Sequence, residues 1–384
     1  MEDAYISMIN KQEMFKWAEA HADEQKELLK AIAAIPAPSH HEERRAHFIK
    51  DWLVRQGAAD VIIDEALNVV MPFPGKNSGP YTAFTAHTDI VFPDMDTISV
   101  KEENGILYAP GIGDDTANLV NLMLIAKFVI EKKTEPASSL LFVFNSCEEG
   151  LGNLKGIRQI CREWDIKRHV SFDLYLDKVV CRAVGSERWR VSCKTKGGHS
   201  YGAFGNPNAI AAMAEMISRL YDQDVPAAAG RKTTYNVGEI RGGTSVNTIA
   251  QNAEMLYEYR SDDLACLAQM RKQFFDLFDE MNCEDTVFEK ELIGERPCSA
   301  VKNNDELEEL INSCSRADTE VTGREVEREP LSTDCNIPLS LGIPATCVGL
   351  CRGGKAHTRE EWVEAASLIP GLKVGLNIVN DLCF

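Results

Sequence analysis

The run Ser139–Asn145, SLLFVFN, is apolar on both faces of any strand it could form. A strand of that kind belongs at the centre of a sheet that is covered on both sides, so the chain around it has to supply helices for two layers. Charge arrives directly afterwards, as Glu148 and Glu149. The same sequence of events occurs earlier, where Thr82–Ala86 leads into His87 and Asp89. Residues two apart on a strand share a face, so these two side chains project together. After Gly111 and Gly113, the pair Asp114 and Asp115 precedes a helix with Leu119, Leu122, Met123, Ala126 and Val129 on its apolar side. A further strand, Asp173–Leu176, is expected to end at Asp177. Strands alternating with helices, with polar residues at the strand ends, predict an α/β sheet whose site lies at those ends.

The remaining pattern fills in around this frame. Residues 11–35 read as a helix stopped by Pro36 and Pro38, and Ser39 with Glu42 forms a capping-box pattern before Phe48, Ile49, Trp52 and Leu53. Strands are expected at 61–64 and 68–72, and a short hairpin at 96–109. Beyond Gly185 the pattern changes to strand 188–196, helix 207–221, strands 233–240 and 252–260, helix 262–281 and strand 286–292. That β-α-β-β-α-β order is the ferredoxin-like split motif. A chain of 384 residues exceeds the usual size of one core. The expectation is a discontinuous α/β domain, residues 1–184 and 295–384, with an α+β domain inserted at 185–294. A helix at 305–316, a strand at 345–350, a glycine-rich turn and His357 complete the first of these.

Composition narrows the function classes. A net charge of −18 disfavours nucleic acid or an anionic membrane as partner, because both would be repelled. The opening MEDAYISMINKQEMFKW lacks a basic start followed by an apolar core, and no apolar run approaches the roughly 20 residues of a membrane span. Twelve cysteines are scattered without a CxxC pair, which predicts reduced thiols in a cytoplasmic protein and no structural thiolate zinc site.

Taken singly, an acidic pair is a solvated loop or a helix cap, and a late histidine is a surface residue. In order, His87-x-Asp89, Gly111-x-Gly113-Asp114-Asp115, Glu148-Glu149-Gly150, Asp177 and Gly353-Gly354-x-x-His357 resemble the M20 family of dinuclear zinc peptidases and deacylases, in its peptidase T-like branch. The inserted segment, with Gly197-Gly198-His199-Ser200 and Gly242-Gly243, resembles that family's lid and dimerisation domain. The resemblance implies two Zn2+ per subunit, with Mn2+ or Co2+ tolerated. Asp114 would bridge, His87 and Asp177 would complete one site, with the nearby Asp173 as the rival to Asp177, and Glu149 and His357 the other. It further implies Glu148 as general base, Asp89 as the group that holds His87 in its tautomer, His199 as an oxyanion donor reaching a partner subunit's site, and Asn247 and Arg260 as substrate contacts. The residue types suit the chemistry. Imidazole and carboxylate suit zinc, a bridging carboxylate offers one oxygen to each ion, and a glutamate free of metal can move a proton.

Two positions depart from the resemblance. Thr116 follows the Asp-Asp pair where many relatives carry lysine, and Ser332-Thr333-Asp334 lacks the arginine that precedes Gly-Thr-Asp in the aminotripeptidase-like branch. Arg352, close to His357, is a candidate replacement for that arginine. Cys147 is read as a buried small residue. The implied activity is amide hydrolysis of short peptides or N-acyl amino acids by a homodimer formed through the lid. The alternatives are a deacylase of the acetylornithine or succinyl-diaminopimelate type, and a non-catalytic dimeric interaction module.

Overall fold

The computed structural model describes residues 10–301 and 305–384. The chain forms two compact units, one comprising residues up to 182 together with 301–384, the other residues 183–300. The boundaries lie at Arg182/Ala183 and Ala300/Val301, whereas the sequence pattern predicts them after residues 184 and 294.

The first unit is built on an eight-stranded mixed sheet. Its spatial order is Ile62–Ile63, Val69–Phe73, Leu140–Asn145, Tyr81–His87, Ile166–Phe172, Ala345–Val348, Lys178–Ala183 and Glu327–Leu331. The four strands from Leu140–Asn145 through Ala345–Val348 run parallel. Both faces are covered, and alternation decides which residue goes where. Leu140, Phe142 and Phe144 join one core with the helices Ala22–Ala33, Glu43–Arg55, Ala117–Lys132 and Leu368–Cys383. Leu141 and Val143 join another with Leu154, Ile157, Ile160 and Ile337 on the far side. All five are fully buried, each worth about 1.5–3 kcal/mol relative to exposure. Phe84 stacks between Phe142 and Phe172 at centroid distances of 6.1 and 6.0 Å, which locks the register of the three central strands.

The second unit carries a four-stranded antiparallel sheet in the order Thr233–Gly242, Asn252–Ser261, Gly185–Thr195, Thr286–Arg296. Helices Ala209–Tyr221 and Leu264–Met281 complete the ferredoxin-like motif, packing through Met213, Met216, Met270 and Phe274 against Val191, Met255 and Tyr257.

Three local expectations are corrected. The helix expected over 11–35 is two helices, Lys11–Ala20 and Ala22–Ala33, broken at His21, whose ring stacks on Trp17 at 3.9 Å. The capping box does not form. Helix Glu43–Arg55 begins after Glu42 without a side-chain cap, because Ser39 and Glu42 are drawn away to other partners described below. The strand placed at 173–176 is instead Ile166–Phe172. Its Lys167, Arg168 and His169 hide the apolar pattern, yet His169 is buried, with its Nε2 2.9 Å from Thr85 Oγ1. Burial pushes that imidazole down to about 3, so it stays neutral inside the sheet.

Candidate metal centre

The four parallel strands end side by side at Asn145, His87, Phe172 and Val348, and the chain leaves each end into a loop that carries chemistry. Thr88 and Asp89 follow His87, Cys147, Glu148 and Glu149 lie just beyond Asn145, Asp173 follows Phe172, and the turn to His357 comes after Val348. Sheet topology thus gathers acids and histidines separated by up to 270 residues along the chain, as open α/β sheets do at the carboxyl ends of their strands.

Two groups of side chains able to hold a metal ion converge there, His87, Asp114 and Asp173, and Asp114, Glu149 and His357, with the nitrogen and oxygen atoms in each group all within 4.8 Å of one another. Asp114 is common to both. Its Oδ1 lies 3.1 Å from His87 Nε2, and its Oδ2 lies 3.1 Å from His357 Nε2. His357 Nε2 also lies 3.2 Å from Glu149 Oε1. Asp177, the expected ligand, is in neither group. Its Oδ2 accepts from Arg352 Nη1 at 2.6 Å and its backbone N–H donates to Asp318 Oδ2 at 3.0 Å. The shifted strand explains the difference: with Phe172 as its last residue, Asp173 is the one at the strand end, and Asp177 lies four residues further along the loop. The same ion pair engages Arg352.

Asp89 is fully buried and acts as a hub. Its Oδ1 accepts from the backbone N–H of Glu148 and its Oδ2 from that of Glu149, both at 2.9 Å, while Ser39 Oγ donates to Oδ2 at 2.6 Å. His87 Nδ1 lies 3.1 Å from the Asp89 carbonyl and 3.4 Å from its Oδ1. Two acceptors on that side place the proton on Nδ1 and leave Nε2 facing Asp114. Cys147 is buried beside Glu42, whose Oε1 accepts from the Cys147 N–H at 3.0 Å and from the His40 N–H at 3.0 Å. Burial, with Glu42 and Asp89 nearby, pushes the thiol up to about 12, so it is no nucleophile.

Several residues that sequence reasoning missed hold these loops. Arg45, fully buried, donates from Nη1 to the Thr88 carbonyl at 2.9 Å and to Thr116 Oγ1 at 3.2 Å, linking the His87 strand end to the Asp114 turn. Asp115 Oδ2 accepts from the His87 N–H at 2.9 Å. Asn118 donates to Asp115 Oδ1 at 2.6 Å and accepts from the Leu350 N–H at 2.7 Å. Glu361, 1% exposed, accepts from the N–H groups of Gly111, Gly113 and Asp114. Arg45 and Asn118 carried a signal. Arg45 shares the helical stripe of Ile49 and Trp52, and Asn118 with Asn121 interrupts an otherwise apolar helix.

The acids are held against their ordinary behaviour. Burial, together with Asp114, pushes Asp173 up to about 7, and burial raises Glu149 and Asp115 as well. Burial would raise Asp114 too, but hydrogen bonds from His357 and His87 outweigh it and hold that carboxyl low. Those bonds to Asp114 and Glu149 in turn lift His357 to about 10. So many buried carboxylates with so little positive charge call for cations, and two imidazoles plus three carboxylates, one of them shared, are a donor set suited to a pair of divalent ions such as zinc.

His199, Asn247 and Arg260 belong to the second unit. His199 is exposed at the end of a two-stranded ribbon, and its Nδ1 accepts from the N–H groups of Tyr201 and Gly202 at 3.2 and 3.3 Å, which puts its proton on Nε2. Asn247 is exposed and its Oδ1 accepts from Ser245 Oγ at 2.7 Å. Arg260 donates twice to Glu258 on its own strand, each at 3.1 Å.

Among solved structures, the fold matches a tripeptidase from Staphylococcus aureus with a TM-score of 0.75 at 21% identity, covering 98% of this chain and 99% of that one. It matches the dipeptidase Dug1p from Saccharomyces cerevisiae with a TM-score of 0.75 at 15% identity, over 97% and 98% of the two chains. By sequence, 141 residues are 32% identical to a [LysW]-lysine hydrolase of Deinococcus radiodurans, covering 36% of each chain. A stretch of 224 residues is 24% identical to a succinyl-diaminopimelate desuccinylase of Nitrosococcus oceani, covering 52% of this chain and 58% of that one. The chain thus spans between about a third and three fifths of the length of these two curated relatives. Residues 83–381, which include both ligand groups and the inserted unit, match Peptidase family M20/M25/M40, and the chain belongs to that family.

Proposed function

We propose that this protein hydrolyses an amide bond in a short peptide or an N-acyl amino acid, at a centre where His87, Asp114 and Asp173 hold one divalent cation and Asp114, Glu149 and His357 a second. The observation that carries the reading is the Asp114 carboxylate, each of whose oxygens faces a different histidine at 3.1 Å. Two bound cations, zinc by preference, would supply polarisation of the scissile carbonyl and acidification of water.

The rest of the work falls to the chain's own groups. Glu148 is 6% exposed, adjoins the ligand Glu149 and takes the proton from the attacking water before passing it to the leaving amine. Asp89 aims it by holding the N–H groups of residues 148 and 149. His199 presents Nε2–H as an oxyanion donor, reaching the site of a second subunit through a dimer formed by the inserted unit. Asn247 and Arg260 contact the substrate near its carbonyl or carboxylate, Arg260 after exchanging Glu258 for the substrate. All twelve cysteines are unpaired, which suits a cytoplasmic setting.

Within this reading, deacylation of an N-acyl amino acid rather than peptide cleavage is favoured by the engagement of Arg352 with Asp177, which removes it as a ready clamp for a peptide carboxylate. A panel of dipeptides, tripeptides and N-acyl amino acids, assayed with zinc-reconstituted protein, separates the two. Glu148→Gln should keep its metal and lose turnover by roughly 100-fold or more. A variant that retained most of its activity would refute the assignment of the base, and uptake of less than about one equivalent of zinc by the native chain would favour an interaction module over an enzyme.

A further inference from the structure

We infer that Glu361 is a positioning residue of the metal centre: its carboxylate fixes the backbone of the Gly111–Asp114 turn and so determines where the Asp114 side chain meets the two histidines. The inference rests on the two-cation reading above.

Glu361 Oε1 accepts from the N–H groups of Gly113 and Asp114, both at 2.7 Å, and Oε2 accepts from that of Gly111 at 2.9 Å. Three backbone donors converging on one buried point form a concave anion site, and here the anion comes from the chain itself. The turn is bent to allow it. Gly111 sits at φ +69°, in the left-handed region, and Asp114 at φ −113°, ψ 90° breaks the helical path. A Cβ on Gly113 would stand 3.2 Å from Glu361 Oε1 and from the Tyr175 ring, so glycine lets the backbone come this close.

The other end of the same short segment carries His357, four residues earlier, with its Nε2 against Asp114 Oδ2. Backbone hydrogen bonds from Glu361 N–H to the Thr358 carbonyl at 3.3 Å and from Ala109 N–H to the Glu361 carbonyl at 3.2 Å keep the segment folded onto the turn. Residues 357–361 therefore deliver one ligand by its side chain and hold the shared ligand by its backbone, so that His357 and Asp114 move as a unit. Glu361 belongs to neither ligand group, and both of its oxygens are turned to amides. Its action on a cation runs through Asp114.

The test compares the native chain with Glu361→Gln and with Glu360→Gln, a change at an exposed neighbour. Zinc equivalents and affinity are read by competition with a chromophoric chelator, and kcat and KM are measured at low and at saturating zinc. In Glu361→Gln an amide N–H2 must face at least one backbone N–H donor, so the turn loses at least one of its three anchoring bonds and the negative charge that holds them. The expected result is a zinc affinity at the weaker site lowered at least tenfold, kcat reduced with KM little changed, and part of the kcat recovered by excess zinc, with Glu360→Gln behaving as the native chain. Native affinity in Glu361→Gln, or a loss of kcat that excess zinc does not recover, overturns the inference. Should that variant not fold, Gly113→Ala crowds the same contact and is expected to weaken zinc several-fold; unchanged affinity there overturns it equally. A native chain that binds fewer than two equivalents sinks the two-cation reading itself, and that result is visible without any variant.

Discussion

Replacing Asp173 by asparagine should make the metal-free protein more stable while removing one cation. The carboxyl is buried and faces Asp114, and its pKa moves from 3.8 to about 7. At about 1.4 kcal/mol per tenfold change, the ionised form costs the metal-free fold roughly 4 kcal/mol at neutral pH. The sign follows from proton counting. Between pH 4 and 7 the folded state holds this proton more than the unfolded state does, so the group's contribution to stability falls as pH rises through that window. Urea denaturation of chelator-treated protein at pH 5 and pH 8 should show that decline in the native chain and a smaller one in Asp173→Asn. Zinc titration of the same variant should fall from two equivalents to about one, a loss larger than the roughly 10–100-fold typical of changes outside the ligand shell. Asp177→Asn weakens the partly exposed pairs with Arg352 and Arg324, each worth about 0–1 kcal/mol, and should keep both equivalents. If Asp177→Asn loses an equivalent while Asp173→Asn keeps two, the assignment drawn from the strand end is wrong.

Asp89→Asn turns an amide donor toward one of the two N–H groups at Glu148 and Glu149, which should cost about 1–3 kcal/mol in denaturant unfolding and lower kcat along with it; an unchanged kcat would remove Asp89 from the positioning of the base. His357, raised to about 10 by its hydrogen bonds to Asp114 and Glu149, is protonated at pH 7 in the metal-free chain and must give up that proton to bind a cation. Zinc binding followed by calorimetry in two buffers of different ionisation enthalpy should therefore report proton release, with affinity falling as pH falls; no release at pH 7 would contradict the ligand role. Phe84→Ala opens the stack between Phe142 and Phe172 and should cost about 3–5 kcal/mol in thermal or denaturant unfolding. A loss under 1 kcal/mol would mean those central strands are not held by that stack.

The apolar run at Leu140–Phe144 and the acids behind it were enough to place a covered sheet with a site at its strand ends, because strand burial on both faces leaves a one-dimensional signature. The β-α-β-β-α-β order of the inserted unit was readable for the same reason, through alternation and helical spacing. Adjacency was not. In one dimension Asp177 is preferred over its rival Asp173 as the residue that ends a strand, and the choice turned on where Ile166–Phe172 stops, a strand whose Lys167, Arg168 and His169 are tolerated because the sheet gives the buried imidazole a Thr85 partner. Ser39 and Glu42 spelled a helix cap, but folding offered them better partners in Asp89 and Cys147. Glu361 carried no local signal at all, since the three amides its carboxylate accepts from lie some 250 residues earlier in the chain. The sequence by itself determined which residue types stand at the ends of buried strands, because burial and periodicity are local properties of the chain. Only the tertiary structure decided which of those acids converge within ligand distance of one another and which residues hold their loops, because those are distances between segments that local pattern does not encode.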